Sequence, residues 1–230
     1  MSAAPAGVDV GAILFDLDGT LADTAPDLAY AVNAQRRARD QAELPVAALR
    51  PHVSQGARGM LREGLGLAPE HPQYGTVREE FLQIYAANLC RESRLFHGMH
   101  EVLAALESRG IKWGIVTNKP TAYTLPLVEA LGLGQRPACV ICGDTTPHPK
   151  PHPAPLLEAS ARLGLPPTRC AYLGDDERDV QAGLAAGMLP IVALYGYLGV
   201  DKPPAQWGAD LYISAPLDLL NLLAAPLSMG

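Results

Sequence analysis

The chain has 230 residues, with 24 acidic against 18 basic side chains and a formal net charge of −6. That balance argues against general nucleic-acid binding, and no uninterrupted apolar run reaches the ~18 residues that a membrane helix needs. With 48% hydrophobic residues, the length suits one large domain or a core carrying a smaller insertion.

The first ten residues hold no basic side chain and no apolar run, so no signal peptide is expected and a cytoplasmic location follows. Residues 12–16 read as a buried strand. Helices are predicted over 26–39, with Pro26 suited to a first helical position, over 45–65 with a break near Pro51, and over 76–92. Gly64, Gly66 and Pro69 punctuate between them. No strand is expected in this stretch, which reads as a helical insertion. After Gly98 strands and helices alternate. Helices are predicted over 99–108, 120–131, 154–163 and 177–186, and strands over 111–117, 138–142, 170–174 and 189–194. A short strand over 211–214 and a helix over 217–223 follow. Near-continuous apolar strands separated by helices predict an α/β fold: a parallel sheet covered on both faces. Such sheets bind ligands at the carboxyl ends of their strands.

The cysteines are Cys90, Cys139, Cys142 and Cys170. Cys139 and Cys142 have CxxC spacing, but no second pair completes a zinc set. Reduced thiols packed in apolar strands fit a reducing compartment.

Polar residues follow four of the predicted strands: Asp16 with Asp18, Thr117 with Asn118, Lys150, and Asp175 with Asp176 and Asp179. Parallel strands point one way, so these groups can converge on one edge. Singly, each has a plainer reading as a turn or helix-capping residue. Together they supply a carboxylate nucleophile, a second carboxylate, a hydroxyl, an amide, an ammonium and hard oxygen ligands, which suit Mg²⁺. Two carboxylates as close as Asp16 and Asp18 persist only beside a cation or with one protonated. The set fits phosphoryl transfer. Asp16 attacks phosphorus. Asp18 protonates the leaving alcohol and then deprotonates water. Lys150 and Thr117 balance charge on the phosphoryl oxygens, Asn118 faces the substrate, and Asp175 completes the metal site with Asp179 and Asp176 behind it.

With these motifs the chain resembles the haloacid dehalogenase superfamily. The matching residues are Asp16-Leu17-Asp18-Gly19-Thr20, Thr117 ending its strand, Lys150 between two prolines, and Gly174-Asp175-Asp176-Glu177-Arg178-Asp179. The resemblance implies a Rossmann-like core, 1–22 and 96–230, with an inserted helical cap, 23–95. It also implies Mg²⁺ bound by the side chains of Asp16 and Asp175 and by the backbone carbonyl of Asp18. An acid at Asp18 favours phosphatase over dehalogenase, because halide leaves without a proton. Leu95-Phe96-His97-Gly98-Met99, Tyr195-Gly196-Tyr197 and Trp207-Gly208-Ala209-Asp210 are similar to the phosphoglycolate phosphatase-like group, and nearest to its N-acetylmuramic acid 6-phosphate phosphatases. A small phosphomonoester is then the partner, N-acetylmuramic acid 6-phosphate or 2-phosphoglycolate, for a monomer or homodimer. A sugar-phosphate mutase shares these motifs, and a non-catalytic phospho-receiver shares the acidic pocket. In the cap, Ser54-Gln55-Gly56-Ala57-Arg58-Gly59 resembles a substrate loop, with Gly56 allowing a tight backbone and Arg58 reaching a substrate anion.

Overall fold

A computed structural model describes residues 8–223; the first and last seven residues of the expected core lie outside the described residues. The elements in chain order are β1 (Ala12–Phe15), β2 (Ala22–Asp23), α1 (Ala25–Arg37), α2 (Val46–Leu49), α3 (Gly56–Leu65), α4 (Tyr74–Ala87), β3 (Arg94–Leu95), α5 (Met99–Ser108), β4 (Lys112–Val116) and α6 (Thr121–Ala130). They continue as β5 (Val140–Ile141), α7 (Ala154–Leu163), β6 (Cys170–Gly174), α8 (Glu177–Ala186), β7 (Leu189–Ala193), β8 (Leu211–Ile213) and α9 (Asp218–Leu222).

Six strands form one parallel sheet in the order β5-β4-β1-β6-β7-β8. Side chains alternate across a strand, and β1 shows what that does here. Ile13 and Phe15 enter a core with Met99, Leu103 and Leu106 of α5 and Leu127 of α6. Ala12 and Leu14 enter the other, with Leu156 and Leu163 of α7 and Ala182 of α8. All four β1 residues are inaccessible to solvent, which is why the strand reads as a continuous apolar run. Phe15 meets Trp113 edge to face at 6.4 Å, the arrangement that aromatic quadrupoles favour. The fold is therefore the expected Rossmann-like α/β sheet covered on both faces.

Helices α1 to α4 carry a separate apolar core of Leu28, Val32, Leu49, Met60, Phe81 and Tyr85. A β-carbon at Gly64 would lie 2.3 Å from Val32 Cγ2, so only glycine lets α3 settle this closely on α1. The chain passes between sheet and helices through β2 and β3, which pair antiparallel, Ala22 opposite Leu95. This two-residue pair was not expected, because so short a strand has no periodicity to read. The helix predicted over 45–65 divides into α2, a 3₁₀ turn over Arg50–Gln55 and α3. The division falls at Pro51, whose ring removes an amide donor, and at Gly56, where φ is +59°. Among the described residues no helix is long and apolar enough to cross a membrane.

Candidate active site

The loops after β1, β4, β5 and β6 meet at the carboxyl edge of the sheet. Asp16 directly follows β1, and its amide still donates to Leu173 O at 2.9 Å. Asp175 directly follows β6. Asp179 lies in the first turn of α8, where Asp176 caps the helix: Asp176 Oδ1 accepts from Arg178 N at 2.9 Å and Asp179 Oδ2 accepts from Asp176 N at 3.1 Å. This reciprocal cap turns Asp179 back toward β1. Asp16, Asp175 and Asp179 each offer an oxygen within 4.8 Å of the others.

Lys150 enters this cluster from the loop after β5. Its Nζ is 2.9 Å from Asp16 Oδ1 and 2.8 Å from Asp179 Oδ1. It also donates to Tyr172 Oη at 2.6 Å and to Val116 O at 3.2 Å. Burial alone would lower the Lys150 pKa; the charges of Asp16 and Asp179 outweigh it and hold the ammonium above its usual range. Burial pushes Asp16 up from 3.8 to about 6, with Lys150 opposing. Burial, then the charges of Asp16 and Asp179, pushes Asp175 well above the usual carboxylate range.

Three buried carboxylates against one ammonium leave an excess of negative charge that a divalent cation would cancel. The donor atoms fit Mg²⁺. Asp16 Oδ1 touches Lys150 only as an ion pair and is left with no aligned hydrogen bond. Asp175 Oδ1 accepts from Thr20 Oγ1 and Oδ2 from Tyr197 N, both at 2.8 Å, so each keeps a free lone pair. Asp179 was expected to stand behind the metal site. It belongs to the acidic cluster, but its oxygens are engaged by Lys150, Tyr172 and Asp176 N, which leaves Asp16 and Asp175 as the freer donors.

Asp18 is not part of the cluster of three acids. Its Oδ1 accepts from Thr24 Oγ1 at 2.5 Å, and Lys119 Nζ lies 3.0 and 3.2 Å from its two oxygens. Lys119 Nζ also sits 4.7 Å above the centre of the Tyr85 ring from α4, a cation–π distance. Burial alone would lower the Lys119 pKa; Asp18 and then Tyr85 outweigh it and hold it above its usual range. Sequence reasoning gave Lys119 no role. A lysine between an asparagine and a proline reads as an exposed turn residue, and only the fold brings the helices over it.

Thr117 is buried beside this pair, and its Oγ1 accepts from Lys119 N at 3.2 Å. Asn118 braces Lys150. Its Nδ2 donates to Lys150 O and its Oδ1 accepts from Lys150 N, both at 2.9 Å. Asn118 thus holds the Lys150 backbone, and it also lines the space over the acids. Asp176 pairs with Arg178 at 2.7 Å, and Arg178 Nη2 also donates to Ser54 O at 2.6 Å, tying α8 to the turn before α3. This use of Arg178 was also not foreseen.

A cavity of about 310 Å³ opens over Asp16, Asp18, Thr117 and Lys150, and Gly56 and Arg78 are in its wall. Arg58 is placed differently. It lies in the wall of a neighbouring cavity of about 240 Å³, with Asp201 and Lys202, and is absent from the wall over the acids. The helical turn at α3 that presents Gly56 inward carries Arg58, two residues on, round to another face.

The profile of the haloacid dehalogenase-like hydrolases matches residues 10–187. An N-acetylmuramic acid 6-phosphate phosphatase of Pseudomonas aeruginosa is 40% identical over 212 residues, 92% of this chain and 94% of that protein. A phosphoglycolate phosphatase of Xanthomonas campestris pv. campestris is 44% identical over 215 residues, 94% of this chain and 97% of the relative. A crystal structure described as a predicted phosphoglycolate phosphatase from Haemophilus somnus superposes with a TM-score of 0.82 at 28% identity, over 94% of this chain and 98% of the other.

Proposed function

The chain belongs to the haloacid dehalogenase-like hydrolases and is a phosphoric monoester hydrolase, and from that premise we propose that it uses Asp16 as nucleophile and Mg²⁺ as cofactor. The observation that carries this reading is the cluster of Asp16, Asp175 and Asp179 around Lys150. Asp16 Oδ attacks phosphorus in line, the bond to the ester oxygen breaks, and that oxygen leaves with the electron pair. Asp18 gives it a proton. Water then attacks the aspartyl phosphate, passes its proton to Asp18, and releases phosphate and free Asp16. Lys119, 3.0 Å from Asp18, holds that carboxyl in place for both transfers. Lys150 and Thr117 face the phosphoryl oxygens and offset the repulsion between Asp16 and a phosphate dianion. Asp16, Asp175 and the Asp18 main-chain carbonyl would hold Mg²⁺, which would supply further neutralisation of phosphoryl charge when bound. Asp179 and Asp176 brace Lys150 and the start of α8.

The helices of 23–95 serve as a cap over a core of 1–22 and 96–230 and form the side of the cavity that meets the leaving group. The substrate is N-acetylmuramic acid 6-phosphate, which would place the enzyme in cytoplasmic cell-wall recycling, or 2-phosphoglycolate. Relatives named for each activity support both. The test is phosphate release from a panel of phosphomonoesters with Mg²⁺, comparing wild type with Asp16→Asn. A preference of about a hundredfold in kcat/KM, ~2.7 kcal/mol of transition-state discrimination, assigns the substrate. No release from any ester by folded, metal-loaded protein would refute the reading.

A further inference from the structure

Resting on the phosphatase reading, we infer that Arg78 selects the leaving group by binding a carboxylate at the far end of the cavity from the phosphoryl site, as a sugar-acid phosphate carries one there and a two-carbon acid does not.

The cavity wall holds four cationic side chains: Arg78, Lys119, Lys150 and Arg178. Three are committed within the protein. Lys150 is engaged by Asp16 and Asp179, Lys119 by Asp18, and Arg178 by Asp176. Arg78 is exposed and, among the described residues, forms no ion pair or hydrogen bond. Its planar fork of donors is free to take a carboxylate through two parallel bonds.

Its position puts it away from the acids. Arg78, Phe81, Leu82 and Tyr85 of α4 all line the cavity, and their spacing puts them on one helical face. Tyr85 is the inner end, with its ring under Lys119 and so beside Asp18. Arg78 is seven residues earlier, about 10 Å along the axis at 1.5 Å per residue. Phe81 and Leu82 form an apolar step between them, suited to the carbon face of a sugar ring. Volume agrees. About 310 Å³ falls within the ~300–1,000 Å³ of small-molecule sites, room for a sugar-sized leaving group. Arg58 is no rival, because it faces the other cavity.

The experiment compares kcat/KM for N-acetylmuramic acid 6-phosphate, N-acetylglucosamine 6-phosphate, which lacks the carboxylate, and 2-phosphoglycolate. Wild type should favour the first over the second by about 10- to 100-fold, the range of a charge-assisted hydrogen-bonded pair, and the preference should weaken at high ionic strength. Arg78→Gln should bring that ratio close to one through KM, and Arg78→Lys should restore part of it. Arg58→Gln should keep the wild-type ratio. Arg78 is exposed and unpaired, so its substitutions leave the fold intact. A ratio unchanged in Arg78→Gln, or a wild type that favours 2-phosphoglycolate, overturns the assignment of Arg78 while the phosphatase reading stands. A wild type inert toward every ester overturns both.

Discussion

Replacing Asp16 by Asn should abolish turnover and, without metal, stabilise the protein. Burial raises Asp16 from 3.8 to about 6, a change worth roughly 3 kcal/mol at ~1.4 kcal/mol per pKa unit. A carboxyl whose folded pKa is raised favours the folded state below its unfolded pKa, and that contribution is lost as pH rises through about 6. Metal-free wild type at neutral pH therefore carries the strain of an ionised Asp16 beside Asp175 and Asp179. Asparagine does not titrate, and its amide can donate to those neighbours. In chelator at neutral pH the variant should be more stable by ~2–3 kcal/mol, or about 5–10 °C in Tm for a chain of this size. The gap should close as pH falls to 3.8. Mg²⁺ at a hundred times its Kd adds about 2.7 kcal/mol to wild type and less to the variant, so the order narrows or reverses. Thermal melts of both proteins across pH, with and without Mg²⁺, read all of this. A metal-free variant less stable than wild type at neutral pH, or a gap that ignores pH, would refute the reasoning.

Lys119→Met should lower kcat/KM by ~10- to 100-fold with the fold retained, because Asp18 loses the ammonium that orients it; steady-state rates within twofold of wild type would deny Lys119 this part. Tyr197 Oη accepts from Thr24 N and Ala25 N, at 2.8 and 3.0 Å, where α1 begins. Tyr197→Phe strands the buried Thr24 donor and leaves Ala25 N only its longer bond to Asp23 Oδ1 at 3.3 Å; it should cost about 1–3 kcal/mol by denaturant titration, and a loss under ~0.5 kcal/mol would contradict this. Cys139, Cys142 and Cys170 are buried and Cys90 half-buried, and burial pushes the Cys139 thiol up to about 11. A thiol-reactive dye should label Cys90 first in the native protein and all four cysteines only after unfolding; mass mapping that finds Cys139 modified in native protein would contradict the packing.

Helices α5, α7 and α8 and strand β6 fall where their sequence patterns predict. Each has an apolar face or run of full length, and α7 and α8 end on glycines in the left-handed conformation, Gly164 and Gly187. Asp16, Asp175 and Lys150 were legible for a related reason: the first two sit at strand ends and Lys150 in a loop that follows one, and a parallel sheet brings strand ends and their loops to one edge. The residues that escaped notice depend on contacts between distant elements. Lys119 acquires its place from Tyr85 of α4 and Asp18 of the first loop. The difference between Arg58 and Arg78 arises from how α3 and α4 are rotated about their axes, and that is set by Phe81, Met60 and Val32 packing together. The bracing of Lys150 by Asn118 was not legible because the two lie 32 residues apart.

Lys150 is held by four oxygens, from Asp16, Asp179, Tyr172 and Val116. A lysine free in solution has roughly 1.5–2 kcal/mol of rotamer entropy to lose. Here folding has already removed it, and Asn118 fixes the backbone from which the side chain departs. An arriving anion meets an ammonium that no longer needs to be ordered, so the entropic penalty of immobilising the lysine falls on the stability of the fold and is absent from the affinity for the ligand.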